Sequence, residues 1–209
     1  MSIFNSIKLF IHPRVMTMLF LGFSAGVPIL LIFSTLGLWL NEAGVVKSTI
    51  TFFSWAALGY SFKFVWAPLV DRLPLPFLTK ALGRRRAWML VSQLAIMVAI
   101  ILMSSVDPNA SIESLTIMAY GAVLLGFSSA TQDIVIDAYR IESADMNMQS
   151  MLSATYIAGY RIGMLVAGAG GLFIASYLGS TKEIYSYDAW SGTCYGNAVW
   201  SEYNYNYYQ

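Results

Sequence analysis

The stretch Ser128-Ser-Ala-Thr-Gln-Asp-Ile-Val-Ile-Asp-Ala-Tyr-Arg-Ile-Glu142 places polar and charged side chains at the end of a long apolar run. On a helix, Asp133 and Asp137 lie one turn apart and Arg140 follows, so the three side chains share one stripe. The stripe must face protein or water, since an ionisable group at membrane depth costs about 2.5 to 3.5 kcal/mol on insertion scales. The stretch therefore predicts a membrane helix whose polar face marks an ion or substrate path.

Two interpretations of these charges stay open. Asp137 and Arg140 either end the helix at the lipid headgroups or belong to the same path as Asp133, which lies a full turn deeper. Gln132 contributes an amide beside Asp133. We take Asp133 and Asp137 as candidate proton-responsive carboxylates and place Gln132 on the candidate substrate path.

The composition is that of a membrane protein. Of 209 residues, 57% are hydrophobic and only 11% are charged, and the apolar runs exceed what a soluble core of this size needs. A net charge of +1 gives no reason to expect a nucleic-acid partner. With a single cysteine, Cys194, and a single histidine, His12, the chain offers no disulfide framework, metal cluster or nucleophile with a histidine base. We expect no metal, no cofactor and no enzyme activity.

Apolar runs predict an all-α protein embedded in the lipid bilayer. Five transmembrane helices are expected at about 15–40, 49–70, 87–105, 113–138 and 150–178, each long enough to cross about 30 Å of hydrocarbon. Residues 1–14 alternate apolar and polar groups, which suits a short amphipathic segment on the membrane surface. Lys63 lies inside the second predicted span, where it either snorkels toward the cytosol or lines a cavity.

The loop from Asp71 to Arg86 decides the predicted orientation. It holds five of the twelve basic residues of the chain. By the positive-inside rule, such a loop faces the cytoplasm. Counting spans from it predicts a multi-pass protein of the bacterial inner membrane with a cytoplasmic N-terminus.

The fifth predicted span combines small, aromatic and cationic residues. The small residues Gly159, Gly163, Ala167 and Gly171 recur every four positions, so they line one helix face and predict a close helix crossing. Arg161 needs an anion at this depth, either Asp133 or Asp137 or an acidic group of a substrate.

Aromatic side chains in two of the predicted spans have two open interpretations. They supply flat faces on which sugars rest, or they are ordinary helix packing. The residues concerned are Trp55, Tyr60, Tyr156 and Tyr160.

Residues 179–209 break the pattern, with many aromatic residues and no apolar run long enough to span a bilayer. We expect this tail to be a frameshifted reading of a sixth membrane helix. Tyrosine and asparagine codons read one base later give Ile, Met or Thr, and that composition suits a span. The alternative is a genuine aromatic tail at the membrane interface.

Four blocks of sequence, in order, resemble the AmpG muropeptide permease family of the major facilitator superfamily. They are Leu21-Gly-Phe-Ser-Ala-Gly-Val-Pro28, Phe62-Lys-Phe-Val-Trp-Ala-Pro-Leu-Val-Asp-Arg72 with Gly83-Arg-Arg-Arg-Ala-Trp88, Ser129-Ala-Thr-Gln-Asp-Ile-Val-Ile-Asp-Ala138, and Gly159-Tyr-Arg-Ile-Gly-Met-Leu-Val166. The resemblance covers roughly residues 8 to 178.

The resemblance implies that residues 1–178 form the N-terminal half of a major facilitator fold, with the sixth helix missing or disrupted. It also implies a conformational loop between helices two and three, formed here by Asp71, Arg72, Gly83, Arg84, Arg85 and Arg86. The implied activity is proton-coupled import of anhydro-muropeptides across the inner membrane for cell-wall recycling.

Two alternatives accompany this expectation. The related acetyl-CoA transporters share a similar Gln-Asp pattern and basic loop, although the Gly-Tyr-Arg block favours the muropeptide branch. The second alternative is that the chain is a non-transporting membrane fragment, or a half that packs against a separately encoded second half. We expect the 209-residue chain alone not to transport.

Overall fold

The computed structural model describes residues 12–143 and 146–178, and every regular element in these ranges is helical. The expectations for the N-terminal segment before His12 and for the tail 179–209 lie outside the described residues. The helices, in chain order, are α1 (Pro13–Glu42), α2 (47–72, divided into pieces), α3 (Leu78–Leu82), α4 (Arg84–Ser104), α5 (Ile112–Ser143) and α6 (146–178).

Helix α1 begins with a local capping signal. The His12 ring accepts a hydrogen bond from the Arg14 amide, and Pro13 occupies the first helical position, where no amide donor is needed. Pro28 lies inside the helix and is followed by a π-helical turn at Leu31–Thr35. A proline removes one backbone hydrogen bond of the helix, and the π turn begins three residues after Pro28. The helix nevertheless continues to Glu42.

Four of the five predicted spans are unbroken helices long and apolar enough to cross a bilayer. They lie at Pro13–Glu42, Arg84–Ser104, Ile112–Ser143 and Met148–Ile174. These helices confirm an all-α membrane fold. Helix α6 includes a second π turn at Val166–Gly170 and then continues as Gly171–Leu178.

The second predicted span, 49–70, differs from the expectation because α2 is divided. Its pieces are Lys47–Phe53, a 3-10 turn at Ser54–Ala57, Leu58–Ser61 and Lys63–Arg72. The chain leaves helical geometry at Phe62, with φ −100° and ψ 9°. Lys63 therefore begins a new helical piece.

Two pairs of helices cross so closely that glycines are required. A Cβ added at Gly22 would collide with the Tyr156 carbonyl, and one added at Gly159 would collide with the Leu19 carbonyl. Helices α1 and α6 therefore touch backbone to backbone, as small residues permit in membranes. Gly163 meets the same helix one turn further on.

The remaining members of the predicted seam are also inside the protein. Ala167 is buried in the main apolar core with Val27 and Leu31, and Gly171 is buried. The second close crossing joins α2 to α5, because a Cβ at Gly126 would collide with the Ala56 carbonyl. The sequence analysis did not single out this crossing.

Helix α5 is the centre of the bundle. It packs against α1, α2, α4 and α6, and every residue from Ser128 to Ile136 is buried. Apolar side chains such as Met118 and Leu125 occupy its first half, and the polar run occupies its second half. The fold thus places the polar run where several helices reach it.

Candidate functional site

The polar run of α5 contacts three neighbouring helices through successive side chains. The Tyr60 hydroxyl donates to Ser129 Oγ at 2.5 Å, and Trp66 Nε1 donates to Thr131 Oγ1 at 3.3 Å. Both donors belong to α2. These bonds satisfy polar groups that would otherwise be buried without a partner.

Asp133 lies where α2, α5 and α6 meet. Its residue is 8% exposed, the Tyr156 hydroxyl donates to Oδ1 at 3.3 Å, and Oδ2 lies 3.9 Å from Lys63 Nζ. The last distance is too long for a direct hydrogen bond, so Lys63 and Asp133 attract each other through charge alone. The Asp133 carboxylate thus contacts both α2 and α6, which are far apart in the sequence.

Lys63 faces the protein as well as the surroundings. Its side chain is 39% exposed, whereas that of Asp133 is 11% exposed. Lys63 Nζ thus lies near the polar run of α5, and both predictions for Lys63, snorkelling and lining a cavity, stay predictions. Its position directly after the irregular Phe62 directs it to α5.

The structure does not bring Arg161 to either acid. Arg161 is exposed on α6, and it forms no ion pair among the residues that the structure describes. The reason is the helix face: Gly159 and Gly163 pack on α1, which leaves Arg161 pointing elsewhere. Of the anions expected for Arg161, Asp133 and Asp137 form no ion pair with it among the described residues, and an acidic group of a substrate stays a prediction.

Asp137 has its own partner within α5. Arg140 Nη2 lies 3.2 Å from Asp137 Oδ1, in an i,i+3 pair, and the Asp137 side chain is 44% exposed. Such an exposed pair contributes little stability. The environment of Asp137 is therefore much more open than that of Asp133.

Two tyrosines of α6, Tyr156 and Tyr160, lie beside Asp133 of α5. Their ring centroids are 6.0 Å apart with an interplanar angle of 42°. Tyr60 on α2 packs in the same way on Phe33, at 6.2 Å. Trp55, by contrast, is 63% exposed and has Phe52 as its ring neighbour, so it is not part of this cluster.

Gln132 is fully enclosed yet only partly satisfied. Its Nε2 donates to Ser24 Oγ on α1 at 2.9 Å, while its Oε1 has no hydrogen-bond partner within the described residues. Gln132 also lines a cavity of about 310 Å³ between α1 and α4. An unpaired buried acceptor is costly and marks a place where water or a donor group fits.

A second charged cluster lies at the loop between α2 and α4. Arg85 contacts Asp71 Oδ1 at 2.5 Å and Glu142 Oε1 at 2.6 Å, so one guanidinium joins the end of α2 to the end of α5. Trp88 Nε1 also donates to the Leu73 carbonyl at 2.9 Å. The planar fork of arginine suits this double contact.

The other residues of the predicted loop motif surround this cluster. Gly83 has φ +82°, a backbone conformation that favours glycine, and it directly precedes α4. Arg72, Arg84 and Arg86 are exposed and have no ion pair among the described residues. Glu142 was not singled out from the sequence, because a carboxylate at a helix end is usually solvated.

Comparisons with known proteins agree with this architecture. The acetyl-coenzyme A transporter 1 family matches residues 14–194. The "Putative transporter AmpG 4" of Rickettsia conorii is 41% identical over 177 residues, which are 85% of this chain and 42% of that protein.

Two further relatives have similar names. The "Anhydromuropeptide permease" of Escherichia coli is 39% identical over 169 residues, which are 81% of this chain and 33% of that protein. The "Putative transporter AmpG 1" of Rickettsia conorii is 33% identical over 164 residues, 78% of this chain and 38% of that protein. The chain thus spans less than half of the length of these curated relatives. These matches confirm the resemblance to the AmpG permeases, and the chain belongs to the acetyl-coenzyme A transporter 1 family of multi-pass membrane proteins.

Proposed function

We propose that the chain forms the N-terminal half of a proton-coupled permease that imports anhydro-muropeptides, with Asp133 as the proton-binding group. The observation that carries this proposal is the position of Asp133, buried between α2, α5 and α6 and facing both Lys63 and Tyr156. The names of two relatives, AmpG 4 and anhydromuropeptide permease, support the substrate class.

The coupling step follows from charge. While Asp133 is ionised, it attracts Lys63 and accepts a hydrogen bond from Tyr156. A proton on Asp133 removes the negative charge, so Lys63 is no longer held against α5. Proton binding therefore loosens the contact between α2 and α5.

The break in α2 lets this loosening become a movement. Lys63 begins the piece Lys63–Arg72, and the irregular Phe62 separates it from the piece that crosses α5 closely at Gly126. Residues that leave regular geometry at an element end are typical hinges. The piece Lys63–Arg72 thus shifts, while the close crossing of Ala56 and Gly126 stays in place.

The piece Lys63–Arg72 ends at the charged cluster formed by Asp71, Arg85 and Glu142. Asp71, at its end, is held by Arg85 together with Glu142 of α5. A shift of 63–72 therefore acts on this cluster as well as on Asp133. We assign to Arg85 the role of holding one conformation of the loop between α2 and α4 against the end of α5.

The substrate contacts in this proposal are aromatic and cationic. Tyr156 and Tyr160 present ring faces beside Asp133, and sugars commonly rest on such faces. Arg161, next in sequence and exposed, offers a planar cation to the carboxylates of a peptide stem. Its role is thus toward the substrate and not toward Asp133.

The proposed location is the bacterial inner membrane, with the N-terminus and the basic loop in the cytoplasm. The five basic residues of the loop support this orientation. A single cysteine introduced at exposed Lys80, in a Cys194→Ser background, tests it by labelling from either side. Modification by an impermeant reagent added outside intact cells would contradict the orientation.

The decisive experiment for the function is uptake of labelled anhydro-muropeptide by cells that lack their own permease and express the protein joined to a second permease half, because we expect the 209-residue chain alone not to transport. Saturable uptake that requires an inward proton gradient supports the proposal. Uptake equal to that of empty cells by the joined protein, with no saturable binding to the purified protein, would favour a non-transporting membrane fragment. Uptake only when the second half is present as a separate chain would favour a half that requires a separately encoded partner.

A second candidate substrate is acetyl-CoA, which the description of the matching family favours. Competition distinguishes the two. Unlabelled anhydro-muropeptide should displace the labelled compound from the purified protein, whereas acetyl-CoA at the same concentration should not. Displacement by acetyl-CoA alone would transfer the assignment to the second candidate.

A further inference from the structure

A groove runs between α1 and α4, with α5 as its floor. Two cavities, of about 480 Å³ and about 310 Å³, lie along it, and Gln93 lines both of them. We call these two cavities together the α1–α4 groove. It is separate from the Asp133 cluster, which lies toward α2 and α6.

One end of the groove is polar and positively charged. Thr17, Arg85, Arg86 and Tyr139 line it at the level where α4 begins. Arg85 is already neutralised by its contacts with Asp71 and Glu142. Arg86 has no ion pair among the described residues, so it leaves this end with an uncompensated positive charge.

The other end is apolar. Phe23, Val27, Ile96, Met97 and Ile100 line the deeper cavity, with Ser24, Gln93 and Gln132 as its polar groups. From Arg86 to Ile100 the helix advances about 21 Å at about 1.5 Å per residue. One leaflet of a bilayer has a hydrocarbon depth of about 15 Å, so the groove extends through a whole leaflet.

The surface of α4 beside the groove is apolar and exposed, as is typical of a helix face that contacts lipid. Leu90, Leu94, Met97 and Val98 are all exposed on this helix. An occupant must therefore combine an anionic group at the membrane surface with a long apolar part that follows the helix inward. A muropeptide has the first property but not the second.

We propose that the α1–α4 groove binds one anionic phospholipid, with its phosphate against Arg86 and one acyl chain along the apolar end. Tyr139 provides a hydroxyl group at the level of the headgroup, whereas the Thr17 hydroxyl at this level already donates to the Pro13 carbonyl. The Gln93 amide lies deeper, between the two cavities. Basic pockets between membrane helices bind anionic headgroups in this way. The site goes beyond the proposed transport function, since the bound lipid is a constituent of the membrane and not the cargo.

Native mass spectrometry of the purified protein tests the proposal. The protein is equilibrated with equal amounts of phosphatidylglycerol and phosphatidylethanolamine that carry identical acyl chains. We expect one tightly retained phosphatidylglycerol, and we expect Arg86→Gln to lower its retention about fivefold, the effect of one basic residue near a charged surface. Arg84→Gln, which removes the same charge from the same loop outside the groove, should retain the lipid.

Two outcomes would overturn the proposal. One is equal retention of the two lipids by the wild-type protein. The other is an equal loss of phosphatidylglycerol in Arg84→Gln and Arg86→Gln, which would mean a diffuse charge effect. Circular dichroism of both variants checks that the helices are intact.

A second measurement identifies what occupies the groove. A fluorophore on Met97→Cys, in a Cys194→Ser background, is placed in vesicles that contain lipids with nitroxide-labelled acyl chains. We expect strong quenching, greater for labelled phosphatidylglycerol than for labelled phosphatidylethanolamine. A label that resists quenching by both lipids would show that protein, such as residues 179–209 or another chain, covers the groove.

Discussion

Asp133 Oδ2 lies 3.9 Å from Lys63 Nζ, across the contact between the central helix α5 and the divided helix α2. The lysine directly follows the break at Phe62, and the aspartate is the deepest acid of the polar run. A buried acid and a partly exposed base on different helices form a contact that a single proton weakens.

Replacing Lys63 by Gln should reduce proton-coupled uptake about tenfold, which corresponds to about 1.4 kcal/mol. The variant leaves the Asp133 charge without its cation, and the partial exposure of Lys63 keeps the loss below that of a fully buried pair. Uptake by the chain joined to a second permease half, in cells lacking their own permease, measures the effect. Lys47→Gln, an exposed lysine at the start of α2, is the matched control, and equal defects in both variants would contradict the assignment.

Replacing Gly159 by Ala should destabilise the protein by about 1 to 3 kcal/mol, the usual cost of overpacking. The added Cβ would collide with the Leu19 carbonyl on α1. Thermal unfolding in detergent measures the change. Gly37→Ala is the control, because nothing lies within 4 Å of a Cβ at this helical position. If Gly37→Ala loses as much stability as Gly159→Ala, the close crossing is not the cause.

Replacing Arg85 by Ala should lower stability by about 1 kcal/mol, since it removes two contacts between partly exposed groups. The loss should shrink at high salt, where the wild-type contacts are screened. Arg84→Ala, a neighbour without an ion pair in the described structure, should have little effect. A loss that does not depend on salt would exclude the ionic explanation.

Replacing Arg161 by Ala should weaken substrate binding while leaving the pH dependence of uptake unchanged, because Arg161 is not within ion-pair distance of Asp133. Arg161→Lys should be intermediate, since the ammonium keeps the charge but loses the planar fork. The two effects separate in KM and in the pH profile of uptake. An altered pH profile in Arg161→Ala would show that the arginine does act on the acid.

The all-helical membrane fold was predicted from the sequence and is confirmed, and Asp133, the acid proposed to bind the proton, was singled out from the sequence as well. A carboxylate inside an apolar run is a functional candidate on energetic grounds alone, and apolar runs of about 20 residues predict membrane helices. Lys63 stood out for the same reason.

The contact between Asp133 and Lys63 was not predicted from the sequence. Pairing depends on which helix face turns toward which neighbour, and Lys63 reaches α5 because α2 is interrupted at Phe62. No proline or glycine stands at Phe62 itself to announce the interruption. The orientation of Arg161 could be predicted in part from Gly159 and Gly163. Because both glycines pack on α1, Arg161 lies on another face of α6.

The loop cluster was found only in part. Asp71 and Arg85 belong to a recognisable motif, but Glu142 lies more than fifty residues away and reaches Arg85 only because α4 and α5 pack together. The length of α5, which continues to Ser143 instead of ending near residue 138, places Glu142 there. The local sequence around Glu142 does not show whether its carboxylate is solvated at a helix end or paired with an arginine of another helix.

The most direct test of the account compares Asp133→Asn with Asp137→Asn, each in a permease restored by joining the chain to a second half, in uptake of labelled anhydro-muropeptide as a function of external pH. Both substitutions remove one carboxylate charge and keep the side-chain shape. Wild-type uptake should rise as external pH falls. We predict that Asp133→Asn abolishes this rise while the protein stays in the membrane, and that Asp137→Asn, whose acid is 44% exposed and paired with Arg140, retains it. Undiminished, pH-driven uptake by Asp133→Asn would contradict the central claim.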